Sequence, residues 1–150
     1  MSVLKSEILK HLISLQIERI AELNQYQKDL SDSLQSESKS TAGDKHDTSR
    51  AMIHLEQEKL QHQYQELNYQ FQRLKEISVL IALDVVSFGA LVETETDLFL
   101  LGASLGKKDI GGRSIYCIGM EAPISQLILT KRVGERIFFN GKVSEITSIS

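Results

Sequence analysis

Mostly apolar residues recur at alternating steps of four and three through the first half of the chain. The first series is Leu9, Ile13, Gln16, Ile20, Leu23, Gln27, Leu30 and Leu34, and the second is Ile53, Gln57, Leu60, Tyr64, Leu67, Phe71, Leu74 and Ser78. A mean step of about 3.5 residues is the heptad pattern of a coiled-coil seam. When the two series run in opposite directions, every layer from Leu34 with Ile53 to Leu9 with Ser78 is centred between Gly43 and Asp44. The pattern therefore predicts an antiparallel coiled-coil hairpin.

A polar stretch over residues 38–50 separates the two series and contains no large apolar residue. Its serines compete for backbone hydrogen bonds and Gly43 permits a turn, so the stretch is predicted to form the tip of the hairpin. Helix one should run from near Ser2 to about Ser36, and helix two from near Asp44 or Asp47 to about Ile77. Each arm of about 30 residues would be about 45 Å long. The start of helix one has more apolar residues than one seam needs, which predicts that this root of the hairpin packs against the C-terminal half.

Beyond residue 79 the pattern becomes that of short strands. We predict strands over 85–94, 97–105, 114–119, 136–139 and 142–149, a loop over 106–113, and a short helix over 124–130 opened by Pro123. Asn140-Gly141 is a strong two-residue hairpin turn. The predicted core comprises Val86, Phe88, Leu91, Phe99, Leu101, Ile115, Ile118, Leu127, Ile128, Ile137, Phe139, Val143 and Ile146. The fold class is therefore α+β, with a hairpin domain over 1–78 and a small sheet domain with one helix over 79–150.

Composition narrows the class of protein. The chain has 150 residues, a formal net charge of −3 and 41% apolar residues, which is typical of a globular protein and argues against a general nucleic-acid binder. Its one cysteine, Cys117, permits no internal disulfide and is expected in the core of the sheet. The first residues do not form a signal peptide, and no apolar run is long enough for a membrane span. We therefore expect a cytoplasmic protein with no membrane partner.

Two stretches resemble a known family. Gly43-Asp44-Lys45-His46-Asp47 is similar to the tip pattern of Gly-Asp, two variable residues and Glu in the bacterial Gre-type transcript cleavage factors. Residues 122–135 (Ala-Pro-Ile-Ser-Gln-Leu-Ile-Leu-Thr-Lys-Arg-Val-Gly-Glu) are similar to the family's Ser-Pro-Ile helix followed by a Lys-Lys-Val-Gly-Asp-like turn. The order of these stretches around a symmetric hairpin supports the resemblance, which implies an FKBP-like C-terminal domain.

The resemblance also implies a mechanism. Such factors dock at the secondary channel of RNA polymerase and insert the hairpin, so that the carboxylates of Asp44 and Asp47 would help to hold a second Mg²⁺ and assist cleavage of backtracked RNA at its 3′ end. The protein would stimulate the nuclease activity of the polymerase and would not itself be an enzyme. Asp47 is one methylene shorter than the family's Glu, and Thr48-Ser49-Arg50-Ala51 replaces the family's Asn-Ala-Glu-Tyr.

Other interpretations of the same residues stay open. Asp44 or Asp47 could simply cap helix two. Lys39, Lys45 and Arg50 could direct the tip towards RNA or phosphate, or could be ordinary surface charge of a helix. The protein could occupy the polymerase channel without stimulating cleavage, or it could be an unrelated adaptor that binds other proteins through its coiled coil.

Overall fold

The computed structural model of the protein describes the main chain of residues 2–38 and 43–150 and the side chains of residues 4–36 and 48–150. In this described part of the chain, two long helices come first, followed by six strands and one short helix. The elements are α1 (Ser2–Ser38), α2 (Gly43–Glu76), β1 (Leu91–Thr94), β2 (Leu98–Leu101), β3 (Gly106–Ile110), β4 (Arg113–Ile118), α3 (Pro123–Ile128), β5 (Arg136–Phe139) and β6 (Lys142–Ile149). The predicted α+β class is confirmed.

The two long helices end close to the predicted residues. α1 has 37 residues and α2 has 34, which corresponds to lengths of about 55 and 51 Å at about 1.5 Å per residue. The contacts along the chain define two compact units, one formed by residues 1–14 with 70–150 and the other by residues 15–69. The first unit thus includes both ends of the segment that the sequence assigns to the hairpin domain.

The unit of residues 15–69 is built on the predicted seam. Each predicted seam position in this unit is buried or half-buried, and Leu60 is only 4% exposed. Gln16 donates to the carbonyl oxygen of Leu67, and Gln57 donates to the hydroxyl oxygen of Ser31, so the two helices run antiparallel. A single seam buries one stripe of each helix and leaves the remaining faces in solvent, which explains the exposure of Met52 and Leu55.

The other unit contains a six-stranded mixed sheet with the order β3-β4-β2-β1-β6-β5. Neighbouring strands are antiparallel except β2 and β4, which are parallel, with Leu100 opposite Cys117. The β1–β6 pair is interrupted between Glu93 and Thr94 by a bulge. This order places the β5–β6 hairpin, closed by the Asn140-Gly141 turn, at one end of the sheet.

Each face of the sheet contributes to its own apolar core. One core joins Leu98, Leu100 and Cys117 to Ile8, Leu12 and Leu74 of the two long helices. The other core joins Val92, Phe99, Leu101, Ile137 and Ile146 to Ile128 of α3. All four residues of β2 are therefore buried, as expected for a strand covered on both faces. The predicted packing of the hairpin root against the C-terminal half is confirmed.

Some strand predictions are wrong at their ends. The predicted strand over 85–94 is regular only from Leu91, because the peptide groups of Val86 bond to the loop at Thr130 and Lys131. The predicted loop over 106–113 contains β3, which pairs with β4. The charged residues of that segment are typical of a loop, but an edge strand also tolerates them.

Two predicted core residues are on the surface. Leu127 is 64% exposed because α3 buries the positions of Ser125 and Ile128 instead. Val143 is 62% exposed because Ser144 and Ile146 face the core, which turns residue 143 outward. The sequence pattern predicts the opposite orientation, because valine at position 143 is apolar whereas the adjacent serine is polar. Val86, Leu91, Phe99, Leu101, Ile115, Ile128, Ile137 and Ile146 are buried as predicted, and Phe88, Ile118 and Phe139 are half-buried.

Candidate functional site

The predicted site lies where α2 begins. Because α2 starts at Gly43, the main chain of Asp44 and Asp47 lies within its first two turns, one turn apart from each other. Residues at this spacing share a helix face. The side chains of Asp44, Asp47 and Lys45, together with the whole of Lys39, lie outside the described residues. Their predicted roles therefore stay predictions.

Arg50 is the predicted binding residue whose side chain is described. It is half-buried on α2, one helical turn after position 47. A guanidinium in this place adds positive charge close to the two acidic positions. Its position is compatible both with a role in holding an anion near the tip and with an ordinary helix-surface charge.

Glutamines interrupt the otherwise apolar seam, and two of them bond to the opposite helix. The amide nitrogen of Gln57 lies 3.3 Å from the hydroxyl oxygen of Ser31, next to its predicted partner position at residue 30. The amide nitrogen of Gln16, which is 2% exposed, lies 2.8 Å from the carbonyl oxygen of Leu67. Gln16 and Gln57 thus each have a hydrogen-bond partner on the other helix. These bonds support the antiparallel alignment that puts the turn of the hairpin at the predicted tip.

A groove of about 680 Å³ lies along one flank of this seam. Leu23, Leu60 and Leu67 contribute its apolar surface, and Glu22 and Glu56 contribute carboxylates. The groove is lined by residues 19–26 of α1 and 56–67 of α2, well before the tip along both helices. It is therefore a surface of the hairpin stem and separate in sequence from the predicted site.

The second motif, residues 122–135, forms a helix followed by a turn. Pro123 occupies a favoured first position in α3, and the hydroxyl of the fully buried Ser125 donates to the carbonyl oxygen of Gly119 at 2.6 Å. After the helix, the carboxylate of Glu135 accepts a hydrogen bond of 2.6 Å from the main-chain N–H of Arg132. Gly134 has φ +94°, a conformation that L side chains rarely adopt. The motif thus has a local structural role that accounts for its Ser, Gly and acidic positions.

Lys5 is a buried charge that the sequence analysis missed. Its side chain is 2% exposed, and its ammonium donates a hydrogen bond of 3.1 Å to the main-chain oxygen of Ser150. Burial lowers the pKa of this lysine. The side chain borders a cavity of about 340 Å³ whose wall includes the apolar segment 79–83. One signal in the sequence could have indicated its burial. Lys5 precedes the core residues Ile8 and Leu9 by one helical turn and so shares their face of α1.

Gln70 is a second buried polar residue without a sequence signal. Its side-chain oxygen accepts a hydrogen bond of 2.7 Å from the main-chain N–H of Ser104. The bond joins α2 to the residues that follow β2, within one compact unit. It fixes the end of that strand relative to the helix, so the residue has a structural role.

The described part of the chain contains no group of three or more His, Cys, Asp or Glu side chains arranged to hold a metal ion. That search does not include the side chains at the tip. In the same described part, no helix combines the length and apolar character needed to cross a membrane.

Comparison with known proteins gives no match. The chain matches no family model, no curated protein and no solved structure.

Proposed function

We propose that this protein is a Gre-like elongation factor that binds in the secondary channel of RNA polymerase and stimulates cleavage of backtracked RNA. The observation that carries the proposal is the position of the Gly43-Asp44 pair at the start of α2, which runs antiparallel to α1 and follows it directly along the chain. A two-helix arm of this length buries little apolar surface for its size. Its use is to carry the residues of its tip into a confined place.

The chemistry proposed for the tip is the stabilisation of a metal ion. Hydrolysis of a phosphodiester by two metal ions requires both ions close to the reacting phosphate, and carboxylate oxygens are ligands that Mg²⁺ prefers. Asp44 and Asp47 would supply these oxygens to an ion held mainly by the polymerase. The start of a helix favours ionised carboxylates, because its dipole is positive there. Lys39, Lys45 and Arg50 would attract the phosphates of the RNA.

The C-terminal sheet unit is proposed to be FKBP-like and to anchor the protein at the rim of the channel. A mixed sheet with one short helix packed on one face is compatible with this architecture. The Ser125 and Glu135 hydrogen bonds hold residues 122–135 in a fixed conformation, as a docking surface requires.

The test uses Asp44→Asn with Asp32→Asn as the control, an exposed aspartate on α1 of the same hairpin. Added with Mg²⁺ to a stalled polymerase complex, the natural protein should shorten the RNA from its 3′ end. Asp44→Asn should reduce the rate of this cleavage at least tenfold, roughly the loss of one charged transition-state contact, with little change in polymerase affinity. Because Asp44 lies in the first turn of α2, the substitution should remove only its interaction with the helix dipole, and stability should change by less than about 1 kcal/mol. Asp32→Asn should behave as the natural protein.

Full cleavage activity in Asp44→Asn would contradict the metal-holding role. A second candidate function is to occupy the channel without stimulating cleavage. It is supported by Asp47, whose side chain is one methylene shorter than the family's Glu, and by Arg50, which replaces a second Glu of the family. A protein that competes for the channel and slows transcription without any cleavage would have this second function.

A further inference from the structure

The two edges of the sheet differ in chemistry. One edge is β3, which carries Lys107, Lys108 and Asp109. Charged side chains, lysine above all, commonly protect an edge strand from pairing with another chain. The other edge is β5, where Phe138 is 63% exposed and lies directly opposite Val143, which is 62% exposed. The β5 edge carries one charged side chain, Arg136, beside this exposed apolar pair, and is therefore less protected than the β3 edge.

The hydrogen bonds of Glu145 show which peptide groups of β5 face outward. The N–H and C=O of Glu145 both point away from β5, since its carbonyl accepts from the N–H of Glu95 and its own N–H donates to the Glu95 carboxylate. Glu145 is opposite Arg136, so this pair exchanges no main-chain bonds. The N–H and C=O of Arg136 consequently point to the outer edge, and those of Phe138 do so too, two residues further.

Within the described residues no strand pairs with this edge of β5. β5 is the last strand in the sheet, and its main-chain bonds within the described residues go to β6. The side chains of Arg136 and Phe138 share one face of the strand and are both exposed. The outer edge of β5 thus offers the N–H and C=O groups of every second residue, together with one cationic and one aromatic side chain.

This pattern is complementary to itself. When two antiparallel copies of β5 are related by a two-fold axis at Ile137, Arg136 of each copy lies opposite Phe138 of the other. The outward N–H and C=O groups of both residues then pair across the axis, and each guanidinium comes next to an aromatic ring, where cation–π attraction is favourable. A shift of the register by one residue would place outward groups opposite peptide groups already bonded to β6.

We propose that the β5 edge is a homodimer interface in which two copies of this chain join their sheets through antiparallel β5 strands. The proposal is independent of the function suggested for the tip. The bonded surface is short, because β5 has only four residues. The association should therefore be weak and reversible, and it should depend strongly on each side chain because every residue is used twice in a two-fold interface.

Two measurements on the full-length protein test the proposal. Sedimentation velocity over a range of concentrations should show a monomer–dimer equilibrium. Hydrogen exchange followed residue by residue should show that the amides of Arg136 and Phe138 become protected as the dimer forms. The amides of Ile137 and Phe139, which already bond to β6, should change much less.

Phe138→Lys is the disrupting variant and Leu55→Lys is its control, since Leu55 has a similar exposure of 65% on α2. Phe138→Lys should weaken dimerisation at least about tenfold, because two cations then face each other at both ends of the interface. Leu55→Lys should leave it unchanged. A protein that stays monomeric at the concentration of an NMR sample would overturn the proposal. So would a dimer in which the amides of residues 136 and 138 gain no protection or in which Phe138→Lys has no effect.

Discussion

Cys117 shows how the fold controls the chemistry of a single residue. The side chain is 1% exposed in the core between the sheet and the long helices. Burial raises the pKa of its thiol to about 12, although the nearby charge of Lys108 opposes this shift. The reactive form of a cysteine is the thiolate. The position on β4, and with it the predicted core role, is confirmed.

We expect the folded protein to react very slowly with a thiol reagent at pH 8, with a rate set by unfolding. Lys108→Met should not speed the reaction, because removal of that charge raises the pKa further. The raised pKa of the thiol also makes the free energy of unfolding depend on pH. A thiol with a raised pKa stabilises the fold fully below its ordinary value of 9.0, and this contribution disappears as the pH rises towards 12. Rapid modification under native conditions, measured by absorbance of the released reporter, would show that the thiol is accessible.

The hydrogen bond of the buried Lys5 could not be predicted from the sequence. Its acceptor is 145 residues away along the chain, and no local pattern links the two. The burial of a lysine depends on which strands come to lie beside α1. That information is non-local, whereas the apolar period that predicted Leu9 and Ile13 is local.

At the scale of elements, the long helices were predictable because a heptad pattern repeated over many turns has few alternative structures. The strands were less predictable because their pairing partners are distant in sequence. The parallel pairing of β2 with β4 and the position of β5 at an edge follow from the sheet order, which no sequence pattern showed. β3 was missed because its exposed charges carry no apolar period.

The seam gives a prediction about the stability of the helices. Among the described side chains of the unit formed by residues 15–69, Leu60 is the most buried apolar one, so Leu60→Ala should reduce the free energy of unfolding by roughly 2–4 kcal/mol. Leu55→Ala is the matched control, because Leu55 is on the same helix and 65% exposed. Its effect should stay within about 0.5 kcal/mol. Urea unfolding followed by helical circular dichroism distinguishes the two, and equal effects would contradict the assigned seam.

At the scale of the whole molecule, the two compact units have different physical characters. The sheet unit has two apolar cores, whereas the unit of residues 15–69 has one seam between two helices. The residues of the candidate site are a prediction from the sequence alone, because a short motif at the centre of a symmetric pattern needs no tertiary information. The orientation of its carboxylates depends on side-chain positions that the pattern does not contain.

We propose that the tip of the hairpin reaches the active centre of RNA polymerase. The most direct test attaches an iron chelate, which cuts nearby chains by hydroxyl radicals, to the single accessible cysteine of Lys45→Cys. The buried Cys117 leaves this cysteine as the site of labelling, and Leu80→Cys serves as the control because Leu80 is 92% exposed. We expect the label at residue 45 to cut the polymerase around its active centre and the RNA near its 3′ end, and the label at residue 80 to cut neither. Cuts by the residue 45 label only at the outer surface of the polymerase, or none at all, would show that the tip does not reach the active centre.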